Sequence, residues 1–191
     1  MSRWYDVYVK RMNDSYYDHV CKRYKVHIDL IANACKIDTR VMEVGCGMGN
    51  ITRELVRRSV TNKRQVATDF CPKMLDLALL NLEQEISANK VLLCKGDMTN
   101  SNHFKWMTMD VIHSHGVLEH YGDLAIRETI EVQKRMGAKT LVHYVPGEKY
   151  EKPSFGDERL LSVDAWKKIC EPTEIYTFNQ GFDYALVWDL K

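Results

Sequence analysis

The chain has 191 residues, 45% of them hydrophobic and 28% charged, proportions that exclude a disordered or fibrous protein and indicate a globular one. That length provides one substantial core and leaves little room for a second domain. Its 27 Lys and Arg are balanced by 26 Asp and Glu, so no global field draws the protein toward nucleic acid or an anionic membrane.

The chain opens on MSRWYDVYVKRMNDSYYDH, which has no uninterrupted apolar stretch of the kind that targets or spans a membrane. Six cysteines, Cys21, Cys35, Cys46, Cys71, Cys94 and Cys170, form no C-x-x-C pair. Several lie in apolar runs where a thiol behaves as a small hydrophobe, so a reducing, cytoplasmic setting is expected. Residues 1–38 carry Trp4, Tyr5, Tyr8, Tyr16, Tyr17 and Tyr24 and are read as one or two helices over the open end of a sheet, with Tyr16 and Tyr17 as lid residues. Plain core packing of a leading helix is the alternative for these aromatics.

From residue 39 onward short apolar runs alternate with amphipathic stretches. Strands are predicted at 39–45, 65–69, 90–94, 109–114 and 138–145, several of them β-branched. Helical spacing joins Ile51, Leu55 and Val56, then Met74, Leu75, Ala78, Leu79 and Leu82, then Ile126, Ile130 and Met136. Asn50 is placed to cap the first of these helices, and Cys71-Pro72 to open the second. The basic residues Arg53, Arg57, Arg58, Lys63 and Arg64 suit the solvated face and C-terminal end of a helix. After residue 160 a helix over 163–170 precedes strands at 174–178 and 182–190, joined by Asn179-Gln180-Gly181, a hairpin signal. The expected fold is a Rossmann-like, doubly wound, mostly parallel seven-stranded sheet with an antiparallel C-terminal hairpin strand, the region 39–191 forming the ligand-binding domain.

The first predicted strand runs into Glu43-Val44-Gly45-Cys46-Gly47-Met48-Gly49. Glycines there allow a tight reversal and close approach of main chain to a ligand. A dinucleotide site would have G-x-G-x-x-G; the spacing here is G-x-G-x-G with an acid two positions earlier, which disfavours a nicotinamide-dependent oxidoreductase and suits a ligand without a pyrophosphate.

With those residues the sequence resembles the class I S-adenosylmethionine-dependent methyltransferases, whose first motif is an apolar strand ending in [D/E]-x-G-x-G-x-G. The likeness continues with Asp69 closing the second strand, Gly96-Asp97-Met98 after the third, and Gly116-Val117-Leu118-Glu119-His120 after the fourth. It implies S-adenosylmethionine as cofactor, with Asp69 binding the ribose hydroxyls, Asp97 near the adenine amino group and Met98 against its ring. It further assigns Glu43, Gly45, Cys46, Gly47, Gly49, Phe70, Met74, His115, Gly116 and Tyr16 to the cofactor site. A helix cap or turn carboxylate is the plainer reading of Asp69 and Asp97.

Methyl transfer is an in-line displacement at a carbon already activated by positive sulfur, so the enzyme supplies proximity, alignment and desolvation. A base for the acceptor's proton is sought among His115, His120 and His143, with Glu119 nearby. His113 is read as a core residue, and His120 equally as a cap of the next helix. No metal is expected. The segments 145–150 and 155–159 are expected to shape the acceptor pocket, and a small-molecule acceptor is expected in preference to DNA: Ser114-His115-Gly116-Val117 stands where amino-methylating DNA enzymes carry [D/N/S]-P-P-[Y/F/W]. RNA or protein methylation, and a cofactor-binding module without turnover, are the alternatives.

Overall fold

A computed structural model describes residues 2–104 and 107–190, with side chains from residue 5 onward and without those of 101 and 102. The side chain of Trp4 and the terminal residue 191 lie outside the described residues. Three helices lead: α1 (Ser2–Tyr8), α2 (Asp14–Arg23) and α3 (Lys25–Ala34). They are followed by β1 (Val41–Val44), α4 (Asn50–Arg57), β2 (Gln65–Asp69), α5 (Pro72–Asn81), α6 (Glu83–Ser87), β3 (Val91–Lys95) and α7 (Ser101–Phe104). The chain closes with β4 (Val111–His115), α8 (Asp123–Arg135), β5 (Thr140–Pro146), α9 (Val163–Cys170), β6 (Glu174–Phe178) and β7 (Asp183–Asp189).

The strands form one sheet in the order β3-β2-β1-β4-β5-β7-β6. Strands β1 to β5 pair in parallel, and β7 runs antiparallel between β5 and β6, as the alternating pattern and the terminal hairpin predicted. The hairpin turns through Asn179, Gln180 and Gly181, all at positive φ. Every residue of β1 is buried because helices cover both faces, which is why its sequence is apolar throughout save for Glu43. Strand order reverses on either side of β1, and the crevice beyond its carboxyl end is where an open α/β sheet takes its ligand.

One face of the sheet carries a core of Ile112, Ile126, Ile130, Leu141, Trp166 and Trp188 under α8 and α9. The other packs Ile28 and Ile31 of α3 and Leu55 of α4 against Val41, Val111 and Val142. The leading segment is therefore not uniformly a cover: α3 is core, while α1 and α2 lie over the ligand crevice. Tyr17, expected in a lid, is buried with its hydroxyl donating to Glu54 Oε2 at 2.6 Å. Glu54 also accepts from Arg57 and Arg58, so part of the basic run serves as ion-pair partners at the end of α4.

Two local expectations are corrected. Asn50 does not cap α4. Gly49, at φ 80°, holds the cap position and Asn50 is the first helical residue, its Oδ1 accepting from Asn81 Nδ2 at 3.0 Å. On α5 the buried face is Met74, Leu77, Ala78 and Leu82, while Leu79 is exposed. Helix α5 stops at Asn81 and Leu82 lies in the junction to α6; with Leu77 in place of Leu79, the positions 74, 77, 78 and 82 form one face spaced by three and four residues.

Candidate functional site

The carboxyl end of β1 delivers Glu43 and then reverses direction. Gly45 and Gly47 stand at φ 68° and 56°, left-handed values that an L side chain adopts only at a cost. Glu43 is buried, and its Oε2 accepts from the Thr52 N–H at 3.1 Å and the Thr52 hydroxyl at 2.5 Å. The acid thereby ties β1 to the first turn of α4. Burial pushes its carboxyl up to about 8, against the pull of the Thr52 hydrogen bonds.

Asp69, at the end of β2, reaches across to the same bend. Its Oδ2 accepts from the Gly47 N–H and its Oδ1 from the Cys71 N–H, both at 2.9 Å. Burial raises this carboxyl, and the two N–H groups oppose the rise. Together Glu43 and Asp69 hold the bend open as the floor of a cavity of about 320 Å³.

Of the residues expected at the cofactor site, Glu43, Gly45, Cys46, Gly47, Asp69, Phe70, Met74, Met98, His115, Gly116 and Tyr16 meet in the wall of this cavity. Two do not. Gly49 is spent on the start of α4, and the Asp97 carboxylate accepts from the Thr99 N–H at 2.9 Å and its hydroxyl at 2.7 Å, the turn role that the plainer reading gave it. Among the described residues the wall contains Asp69 and Asp157, a Glu43 that burial keeps protonated up to about 8, and no Lys or Arg. That charge pattern rejects a pyrophosphate and fits a ligand bearing positive charge. Tyr8, Tyr16 and Tyr121 add aromatic rings to the wall, and a cation is attracted to such faces. The residues present therefore fit an adenosyl sulfonium.

A second cavity of about 530 Å³ adjoins the first and shares Tyr8, Tyr16, Val20, His115, Gly116 and His120 with it. Tyr24, Tyr144, Tyr150 and Phe155 extend its aromatic lining, and Arg11, His19, Arg23 and Lys152 contribute its basic groups. Tyr150 and Phe155 come from the two segments expected to shape an acceptor pocket. One wall is braced by Asp183, fully buried on β7: its Oδ1 accepts from Tyr144 at 2.9 Å and Tyr150 at 2.6 Å, and its Oδ2 from Arg23 at 3.0 Å and Asn179 at 2.5 Å.

The candidate bases separate. His115 lies at the seam of the cavities, its ring stacked on Tyr144 at 4.4 Å and edge-on to Tyr24 at 4.1 Å; burial drives its pKa down to about 4. His120 lines both cavities, its Nδ1 lying 3.2 Å from Asp157, and it does not cap α8, whose cap position is Gly122. His143 does not face the crevice. It points to the opposite side of β5, fully buried between Ser114 Oγ at 2.7 Å and Gln133 Oε1 at 2.8 Å, against Trp188. His113 is buried in the core beside His27, as read.

Arg11, His19, Arg23, Lys152 and Asp183 were not singled out from the sequence, and Glu119 was named in the segment after the fourth strand and beside the candidate bases. Glu119 lies in a 3-10 turn over Leu118–His120, lines the second cavity and is only 3% exposed, with its Oε2 lacking any hydrogen-bond partner. Burial pushes its carboxyl up to about 8. Among the described residues no group of three or more His, Cys, Asp or Glu side chains is placed to hold a metal ion, and no helix is long and apolar enough to cross a membrane.

The reversed strand order, the glycine bend after β1 and the acid closing β2 define an α/β fold of the class I methyltransferase type. The sequence profile of the methyltransferase domain family matches residues 41–137, half of the chain, and the chain belongs to that family of S-adenosylmethionine-dependent enzymes. No curated protein sequence matches it. Solved structures do. PH0226 of Pyrococcus horikoshii OT3 superposes with a TM-score of 0.72 at 13% identity, over 92% of each chain. The methyltransferase domain of a bacterial Hen1 gives 0.70 at 15% identity, over 90% of this chain and 99% of that one. Magnesium protoporphyrin IX methyltransferase of Synechocystis PCC 6803, solved with bound SAH, gives 0.65 at 14%, over 88% and 82%. At such identities the likeness is one of fold.

Proposed function

We propose that the protein transfers the methyl group of S-adenosylmethionine to an oxygen or nitrogen of a small-molecule acceptor held in the second cavity. The observation that carries this reading is the shared wall: Tyr8, Tyr16, Val20, His115, Gly116 and His120 line both spaces, so a nucleophile in one can approach a methyl carbon in the other.

In this reading Asp69 grips the ribose, a task suited to a carboxylate that accepts two hydrogen bonds at once. The bend at Gly45 to Gly47 lies along the methionine tail, with Glu43 beneath it, and Met98, Phe70 and Met74 pack around the adenosine. Gly49 and Asp97 act one step back, shaping the backbone. Bound S-adenosylmethionine supplies the activated methyl. The chain's own part is to align, to exclude water and to receive a proton. Helices α1 and α2, with Tyr8 and Tyr16 on their inner side, act as the cover that keeps solvent from the seam. The six cysteines, all free, favour a reducing, cytoplasmic setting.

The test uses calorimetry with S-adenosylmethionine and S-adenosylhomocysteine, then transfer of a labelled methyl group into separate pools of metabolites, small RNA and peptides. Binding of both nucleosides and label in a low-mass metabolite are expected. Label in RNA or peptide alone overturns the acceptor class, binding without product overturns turnover, and no binding overturns the site.

A further inference from the structure

Glu119 is a buried titratable group in the wall of the second cavity. It sits one turn beyond Gly116, at the junction of the two cavities: a Cβ built on Gly116, itself in both walls, would lie 3.4 Å from Glu119 Oε1. Its other oxygen, Oε2, is buried without a partner. A carboxyl with an unmet hydrogen bond is poorly placed for packing alone, and a ligand hydroxyl would meet its need.

We infer that the acceptor is a phenol carrying an anionic group, and that Glu119 takes the proton of the attacking hydroxyl. The inference rests on the reading of the second cavity as the acceptor site. Three features of that cavity carry it. Its walls present the rings of Tyr8, Tyr16, Tyr24, Tyr144, Tyr150 and Phe155, surfaces against which a planar ring stacks. Its walls carry the cations Arg11, Arg23 and Lys152 against the carboxyl groups of Glu158 and Glu119, with Asp183 behind matching Arg23, so the charges balance once Glu119 ionises. Arg11 and Lys152 are the groups that would hold an anionic substituent. The third feature is Glu119 itself, in the wall of this cavity with Oε1 beside Gly116 and Oε2 buried without a partner.

The phenol oxygen bonds to the methyl carbon, the bond from that carbon to sulfur breaks with its electron pair left on sulfur, and the hydroxyl proton passes to Glu119 Oε2. Burial and the facing carboxylates Asp157 and Glu158 hold Glu119 near 8, close to the value of about 10 for a phenol, which is where a base works best. Tyr8 from α1 and Tyr144 from β5 also face it, and His115 and His120 flank it. His115, held at about 4, is too weak a base for a phenol.

The experiment compares the full chain with Glu119→Gln. Labelled methyl transfer is measured with hydroxybenzoate-type acids, aliphatic hydroxy acids and aromatic amines. Calorimetry with S-adenosylhomocysteine checks that the variant folds, and infrared difference spectra of the ligand-free proteins look for a protonated carboxyl. Phenolic acids are expected to be the substrates used. Turnover should fall at least about a hundredfold in the variant with KM little changed. The parent rate should rise with pH through about 8, with a carboxyl band that titrates there and is missing in the variant. Parent-like turnover in Glu119→Gln, absence of that band, or preference for amines or aliphatic alcohols overturns the inference while leaving the acceptor cavity standing. S-adenosylhomocysteine binding with no small molecule of any class methylated overturns both.

Discussion

Replacing Gly45 with Ala tests whether the bend after β1 is set by its contact with the loop after β4. At φ 68° an alanine pays for the left-handed backbone, about 1 to 2 kcal/mol. Its Cβ would also stand 2.5 Å from Val117 Cγ2, and relieving an overlap of that depth costs about 1 to 3 kcal/mol. The sum for Gly45→Ala is about 2 to 5 kcal/mol. In a Val117→Ala background the overlap is gone and the strain alone remains, so the coupling between the two changes should be about 1 to 3 kcal/mol. Urea unfolding of the parent, both single variants and the double variant measures all four corners. Equal cost of Gly45→Ala in both backgrounds would refute the contact, and a cost below about 1 kcal/mol would refute the strain as well.

Asp69→Ala removes the acceptor of the Gly47 and Cys71 N–H groups and should weaken S-adenosylhomocysteine binding by about 1 to 3 kcal/mol; an unchanged dissociation constant in calorimetry counts against its ribose role. Glu43 keeps its proton in the folded protein up to about 8 but releases it at its ordinary 4.5 when unfolded. Its contribution to stability is thus complete below the unfolded value and is lost as pH climbs through the folded one. Glu43→Gln should therefore gain about 2 kcal/mol relative to the parent between about pH 5.5 and about pH 7.5. A pH-independent difference in urea midpoints would sink that assignment. Asp183→Asn leaves Arg23 without its carboxylate and should cost about 2 to 4 kcal/mol, less than for a wholly buried pair because Arg23 is 32% exposed. Adding Arg23→Met should recover part of the loss in thermal melts, and no recovery would show the network to be held by its tyrosines instead.

The alternation of strands and helices was legible because each element is amphipathic or apolar over its whole length, and the bend after β1 because left-handed backbone demands glycine in a fixed order with the strand. Asp69 was legible for the same reason: it closes a strand beside that bend. The side of β5 that His143 faces was not. Its orientation is fixed by pairing with β4 and β7, where His143 stands opposite Ser114 and Leu186, and the pattern of a fully buried strand has no polar face to betray its parity. Asp97 takes part in a short turn through Thr99, and residue type alone does not tell that use of a carboxylate from a ligand's. The brace at Asp183 was invisible for another reason: Arg23 lies 160 positions away in the chain, and neither element carries a motif. Glu119 looked like an ordinary loop acid until the fold buried it.

Among the described residues the lining around Asp69 and Asp157 contains no Lys or Arg, and this bears on how a catalytic cycle ends. Transfer of the methyl group leaves sulfur neutral, so the same wall holds the spent nucleoside with one electrostatic attraction fewer than it held the donor.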